Sequence, residues 1–145
     1  MHNEFFRTIG RPVLFLAFAC AACSNNNNNP IVNTTGDAGG QCMAPGTLAV
    51  TSQDATAYMI DGSANPTLTL CRGDTYTFAI SAAGHPFYIK TVQGAGTDNA
   101  YTNGVTGNGA DMGDVTFVVP MSAPSTLYYD CSIHPPMTGT IHIID

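Results

Sequence analysis

Thr126-Leu-Tyr-Tyr-Asp-Cys131-Ser-Ile-His134-Pro-Pro-Met137-Thr-Gly-Thr-Ile-His-Ile-Ile144 alternates, breaks, and alternates again. From 126 to 131 a period of two sets Leu127, Tyr129 and Cys131 on one face, so the cysteine points inward and Tyr129 lies in the core beneath it. Tyr128 and Asp130 face the other way, and Asp130 reads as a surface charge. Residues 139–144 repeat the pattern, with Ile141 and Ile143 inward and His142 opposite. The stretch is therefore strand, tight proline-containing loop, strand.

The same periodicity extends upstream. Thr67-Leu-Thr-Leu-Cys71 and Thr75-Tyr-Thr-Phe-Ala-Ile80 place Leu68, Leu70, Tyr76, Phe78 and Ile80 inside, with Arg72-Gly-Asp74 as the connecting turn. Asp114-Val-Thr-Phe-Val-Val-Pro120 does so with Val115, Phe117 and Val119. Further strands are expected at 47–52, 57–61 and 87–91, and no stretch has the period of a long amphipathic helix. Seven or eight short strands make an all-β, antiparallel sandwich the expected class. Residues 93–113 hold six Gly and little strand pattern, a long interruption of the kind usually tied to function or mobility. Asp98, Asn108 and Asp111 within it, and Asp114 just after it, do not match the spacing of a calcium loop, and they read as solvated turn residues. Met112 reads as a packing residue.

Cys131, His134 and Met137 fall at C-x2-H-x2-M spacing, and His85 opens a strand-like segment in Ser81-Ala-Ala-Gly-His85-Pro-Phe-Tyr-Ile-Lys. A thiolate and two imidazoles in a plane, with a weak axial thioether, suit both oxidation states of copper. The short loop delivers three such ligands, and a second loop brings His85 alongside. A buried apolar cysteine with a gap-filling methionine is the competing reading. It leaves unexplained why an unpaired strand-end cysteine stands three residues before a His and six before a Met. A Cys/His nucleophile would need an orienting group that the loop does not offer, and multicopper or binuclear copper sites need more His or Cys than remain.

The N-terminus belongs to targeting rather than fold. Residues 5–19 carry Arg7 and Arg11 followed by Pro-Val-Leu-Phe-Leu-Ala-Phe-Ala, an apolar core of about 8–15 residues that suits a secretory signal and is too short to span a bilayer. The junction Cys20-Ala-Ala-Cys23-Ser resembles the lipobox of bacterial lipoproteins, which implies cleavage after residue 22 and lipidation of Cys23. Position 20 there is usually aliphatic, so Cys20 is the alternative acceptor, and a soluble secreted chain is the other reading. Residues 24–41, with five consecutive Asn, lack the apolar groups to order themselves. They form a tether reaching about 20–25 Å. The expected organisation is thus signal over 1–22, lipidated Cys23 and tether over 23–41, and domain over 42–145.

From Cys23 onward Arg72 and Lys90 stand against nine Asp, a net charge of −7, which argues against nucleic acid as a partner. Cys42 and Cys71 most simply form a disulfide in an exported chain, stabilising by roughly 3–4 kcal/mol. Two buried thiols, or a second metal or redox pair, are the alternatives. The wide spacing argues against a C-x-x-C redox motif.

These residues resemble the cupredoxins, the small blue-copper proteins. The loop Cys131-Ser-Ile-His134-Pro135-Pro136-Met137 is similar to that of the amicyanins, and Tyr128-Tyr129 before the cysteine resembles the plastocyanins. Thr138-Gly-Thr-Ile-His-Ile143 is similar to the family's closing strand. The resemblance implies a Greek-key β-sandwich holding one mononuclear type 1 copper ion on His85, Cys131, His134 and axial Met137. It also implies electron exchange through His134, rimmed by Gly84, Pro86, Phe87, Pro135 and Pro136. The family commonly has Asn after the first histidine, its N–H bonding the cysteine sulfur and its side chain tying the two ligand loops. Here Pro86 has neither donor and Pro135 has no N–H, so the sulfur is expected to have few or no donors, which favours Cu(II) and lowers the potential.

The expectation is a monomeric, non-enzymatic one-electron shuttle, lipid-anchored in the periplasm or at the cell surface, serving cytochrome-like redox partners. A copper store, chaperone or sensor is the alternative, and a copper-free interaction module a third.

Overall fold

The computed structural model describes residues 40–145. The expected signal segment, Cys20, the lipidation site Cys23 and nearly all of the tether lie outside the described residues.

Among the described residues ten strands form two sheets, and each sheet takes its hydrophobic face from period-two runs. The first sheet contains β1 (Gly46–Gln53), β2 (Ala57–Ile60), β3 (Ser63–Ala64), β5 (Thr75–Ser81), β7 (Val105–Thr106) and β8 (Met112–Val118), in the order β3-β2-β1-β5-β8-β7. The second contains β4 (Leu68–Cys71), β6 (Phe87–Lys90), β9 (Thr126–Cys131) and β10 (Thr138–Ile144), in the order β4-β10-β9-β6. Leu48, Val50, Tyr76, Phe78, Val115 and Phe117 from one sheet meet Leu68, Leu70, Ile89, Leu127, Ile141 and Ile143 from the other, all buried. This is the sandwich read from the alternation.

Two details differ from the expected sheet. β1 runs parallel to β5, and β4 runs parallel to β10. Parallel neighbours need a long crossover, and here it comes from the chain changing sheets. After β3 it passes to the second sheet as β4, then returns through Arg72-Gly73-Asp74 to β5 beside β1. That corner is fastened by the buried Tyr76, whose hydroxyl accepts from the Cys71 N–H (3.1 Å) and donates to the Met43 carbonyl (3.0 Å). Cys42 and Cys71 are joined as a disulfide beside it, with Cα atoms 5.4 Å apart.

The glycine-rich stretch after β6 is bonded, not loose. It contains β7 and two further bridges, Phe87 with Ala110 and Lys90 with Ala100. Asn108 is its clip: its Oδ1 accepts from the Ile89 N–H (2.7 Å), and its Nδ2 donates to the carbonyls of Ile89 and Tyr101 (both 3.2 Å). Asn108 is thus a structural residue. Met112, expected to pack, is 59% exposed. It pairs with the exposed Ser81 and lies on the outer face of β8, three residues before the inward Val115.

Gly139 on β10 lies opposite Tyr129 on β9. A Cβ at 139 would overlap the Tyr129 Oη and Cζ atoms, in a ring that is fully buried and unable to swing away. Gly139→Ala is therefore expected to destabilise the domain by about 1–3 kcal/mol, measured by urea denaturation.

Candidate metal centre

Cys131 ends β9, and Thr138 begins β10 opposite Asp130. The six residues between form a closed turn. The Cys131 N–H donates to the Met137 carbonyl (2.9 Å), the Met137 N–H to the His134 carbonyl (3.1 Å), and the Thr138 N–H to the Pro136 carbonyl (3.1 Å). Met137 is fully buried and Cys131 is 1% exposed, whereas Ile133, Pro135 and Pro136 face solvent. The loop thus turns its sulfurs inward and its apolar rim outward.

His85 arrives from the turn between β5 and β6. The His85 N–H donates to the Ala82 carbonyl (2.9 Å), and the Gly84 N–H donates to Asp111 Oδ2 (2.9 Å). Gly84 has φ of 80°, the left-handed conformation that a side chain disfavours. Asp111, read as a solvated turn residue, therefore braces the histidine turn. Just beyond the β6–β9 ladder, where Phe87 pairs with Cys131, the Ser132 N–H donates to the Pro86 carbonyl (3.2 Å), linking the segments that carry His85 and Cys131.

The convergence is close. His85 Nδ1 lies 3.0 Å from His134 Nδ1, and His134 Nδ1 lies 3.6 Å from Cys131 Sγ. One ligand atom from each of the three residues falls within 4.8 Å of the other two, a group able to hold a metal ion. Both histidines are half-buried, with ring centroids 4.6 Å apart. Met137 is placed at the same loop's end by its backbone bonds to Cys131 and His134. The second cluster of possible ligands, Cys42 and Cys71 with Asp74, has its sulfurs committed to the disulfide.

Two expectations are corrected by this geometry, and a third, that the sulfur has few or no donors, is met by a single donor. Cys131 Sγ accepts from the Ile133 N–H at 3.4 Å, so a backbone donor from within the loop reaches the sulfur despite Pro86 and Pro135. Phe87, expected on the exposed rim, is fully buried. It stacks on Tyr129 at 5.6 Å and contacts Tyr58 edge-on at 5.1 Å, forming an aromatic floor under the site. The exposed rim is Gly84, Ile133, Pro135 and Pro136, with Pro86 half-buried.

Asp130 is the second correction: it is 2% exposed, and so is Lys90. It faces away from the core as alternation requires, but the segment after β6 folds over it. Lys90 Nζ donates to the carbonyls of Gly94 and Gly96, the Gly94 N–H donates to Asp130 Oδ1 (3.2 Å), and the Gly96 N–H donates to the Ser132 carbonyl (2.8 Å). Burial pushes the Asp130 carboxyl above its ordinary range, while Thr138, the Gly94 N–H and the Lys90 ammonium pull it partly back. Charge type alone gave no sign of this, since lysine and aspartate are rarely buried.

Tyr58, fully buried on β2, was also missed. Its hydroxyl donates to the His85 carbonyl at 2.8 Å. Burial, and then the nearby Cys131, push its phenol pKa far up, so it stays a donor. Its place in a short run of alternating residues marks it only as core.

No protein-family model matches the chain, and no curated protein matches it. Solved structures do. A structure of the copper protein rusticyanin aligns over 77% of this chain and 88% of its own, with 20% identity and a TM-score of 0.50. A single-residue variant of rusticyanin aligns over the same shares at 21% identity and 0.50. Reduced rusticyanin aligns over 76% and 86%, at 22% identity and 0.51. The fold of this chain is therefore the cupredoxin β-sandwich.

Lys90→Met removes two charge-assisted hydrogen bonds and the cation nearest Asp130. Urea denaturation is expected to register a loss of about 3 kcal/mol. Asp145→Asn, which removes the exposed end of the Arg72 pair, should leave stability almost unchanged.

Proposed function

We propose that the protein is a one-electron carrier using a single copper ion that His85, Cys131 and His134 would hold, with the Met137 thioether as a fourth, weaker ligand. The observation that carries this reading is the convergence of two Nδ1 atoms and one buried Sγ within 4.8 Å. The donor types fit. Two imidazoles and a thiolate, with a thioether alongside, are borderline to soft ligands of the kind that holds copper in both oxidation states. Copper bound there would supply the one-electron redox couple.

The chain's own residues supply the rest. Cys131, 1% exposed, is kept from solvent and from external thiols. The hydrogen bonds within 131–137 hold the ligand loop in one shape, so the donors need little rearrangement when the site's charge changes. His134, half-buried and flanked by exposed Ile133, Pro135 and Pro136, offers an apolar face for electron exchange. A net charge of −7 from Cys23 onward favours partner proteins with basic docking patches.

The disulfide between Cys42 and Cys71 supports an oxidising compartment outside the cytoplasm. We place the protein in the periplasm or at the cell surface, as a monomer held by a lipid on Cys23. No helix among the described residues is long and apolar enough to cross a membrane.

Adding Cu(II) to the metal-free protein should produce an intense blue or green colour, absent in Cys131→Ser, together with a reversible one-electron couple in voltammetry. Tight Cu(I) binding without such a couple would mark a copper store or chaperone instead. No thiolate-dependent colour at all would sink the copper reading.

Pro86→Asn adds an N–H beside Cys131 to the one from Ile133. It should raise the reduction potential by about 50 mV, which corresponds to roughly 1 kcal/mol of differential hydrogen bonding. An unchanged potential in voltammetry would mean that the added donor does not reach the sulfur.

A further inference from the structure

The two ligand segments come from different turns, and Pro86 removes the amide side chain that could have joined them directly. A third element spans them. On β2, the Tyr58 hydroxyl donates to the His85 carbonyl at 2.8 Å. Just after β3, Asn65 Nδ2 donates to the Pro136 carbonyl at 2.9 Å, across 71 residues of sequence. Tyr58 and Asn65 are in turn locked together. Asn65 Oδ1 accepts from the Tyr58 N–H at 2.9 Å, and the Asn65 N–H donates to the Tyr58 carbonyl at 2.8 Å. An unbroken chain of hydrogen bonds therefore runs from the backbone of His85 to the loop that carries Cys131, His134 and Met137. Next door, the Tyr129 hydroxyl donates to the Pro66 carbonyl at 2.7 Å, pinning the same segment to β9.

Asn65 holds its backbone at φ of 43°, the left-handed region that costs a non-glycine residue energy and that asparagine tolerates best. Closing a hairpin needs only its backbone. The side-chain bond to Pro136 serves a distant loop, and strained residues of this kind gather where geometry matters to function.

We propose that the β2–β3 hairpin is a strut that sets the separation of the two ligand segments, with Tyr58 and Asn65 as positioning residues for metal binding. The proposal rests on the copper reading of His85, Cys131 and His134. The two residues act in series, so breaking either link severs the strut and leaves the segments joined only through the Ser132–Pro86 bond and the β6–β9 pairing behind it.

Three variants in the full chain test it. Tyr58→Phe deletes one hydroxyl and keeps the ring that packs on Phe87 and Tyr129. Asn65→Asp keeps the acceptor for the Tyr58 N–H and replaces the donor to Pro136 with a carboxylate oxygen. The third combines both changes.

In the metal-free chain, amide hydrogen exchange at 83–87 and 131–138 should quicken by about tenfold in every variant. Cu(II) affinity should fall by about 10–100-fold in each single variant. It should fall no further in the double, because links in series are not additive. Faster exchange confined to the hairpin, an affinity change below about threefold, or simple additivity would overturn the strut. A wild-type chain that binds no Cu(II) would remove the copper reading, and the exchange comparison would then decide the strut by itself.

Discussion

The hydrogen bond from the Cys131 N–H to the Met137 carbonyl is the constraint on which the rest of this end of the molecule depends. It closes the ligand loop at the point where β9 becomes β10, and the antiparallel register continues behind it through Asp130 with Thr138 and Tyr129 with Gly139. A slip of one residue in that register would turn every side chain of β9 to the opposite face. Cys131 would then meet solvent, and the aromatic ring of Tyr129 would leave the core. The tight approach of Gly139 to Tyr129 holds the register as a lock would, because only a glycine fits there.

Beneath the loop, Tyr58, Phe78, Phe87 and Tyr129 form a contiguous aromatic floor with centroid separations of 5.1–6.3 Å. Above it, the buried Lys90 gathers the Gly94 and Gly96 carbonyls, and Asp130 takes the Gly94 N–H. The strand that ends in Cys131 thus has an apolar layer on its inner face and a small ionic one on its outer face, and the Gly96 N–H to Ser132 carbonyl bond ties the ionic side to the loop. Such a mounting restricts how far the side chains at this end of the molecule can move.

What the sequence disclosed follows from distance along the chain. The inward set Leu127, Tyr129 and Cys131 was legible because alternation is local. So were the fold class, the disulfide pair and the grouping of Cys131 and His134 with Met137 at the end of their loop. His85 was found only through its chemistry. Asp130 was misread, and the burial of Lys90 passed over, because a separate segment folds over both. Tyr58 and Asn65 were missed for a related reason: the groups they hold lie 27 and 71 residues away. The parallel pairing of β1 with β5 was likewise invisible, since it depends on which sheet the intervening strands join.

The odd cysteine raises a question of order during maturation. In the unfolded chain Cys71 can pair with Cys42, 29 residues away, or with Cys131, roughly twice as far. Doubling a loop costs only about 0.6 kcal/mol, so chain entropy favours the correct partner no more than about threefold. What discriminates is the near-complete burial of Cys131: once β9 docks against β6 and β10, the thiol is out of reach of oxidants and of the other two sulfurs. Sandwich formation thus acts as the proofreading step, and slow docking of β9 would show itself first as scrambled disulfides rather than as an unfolded protein.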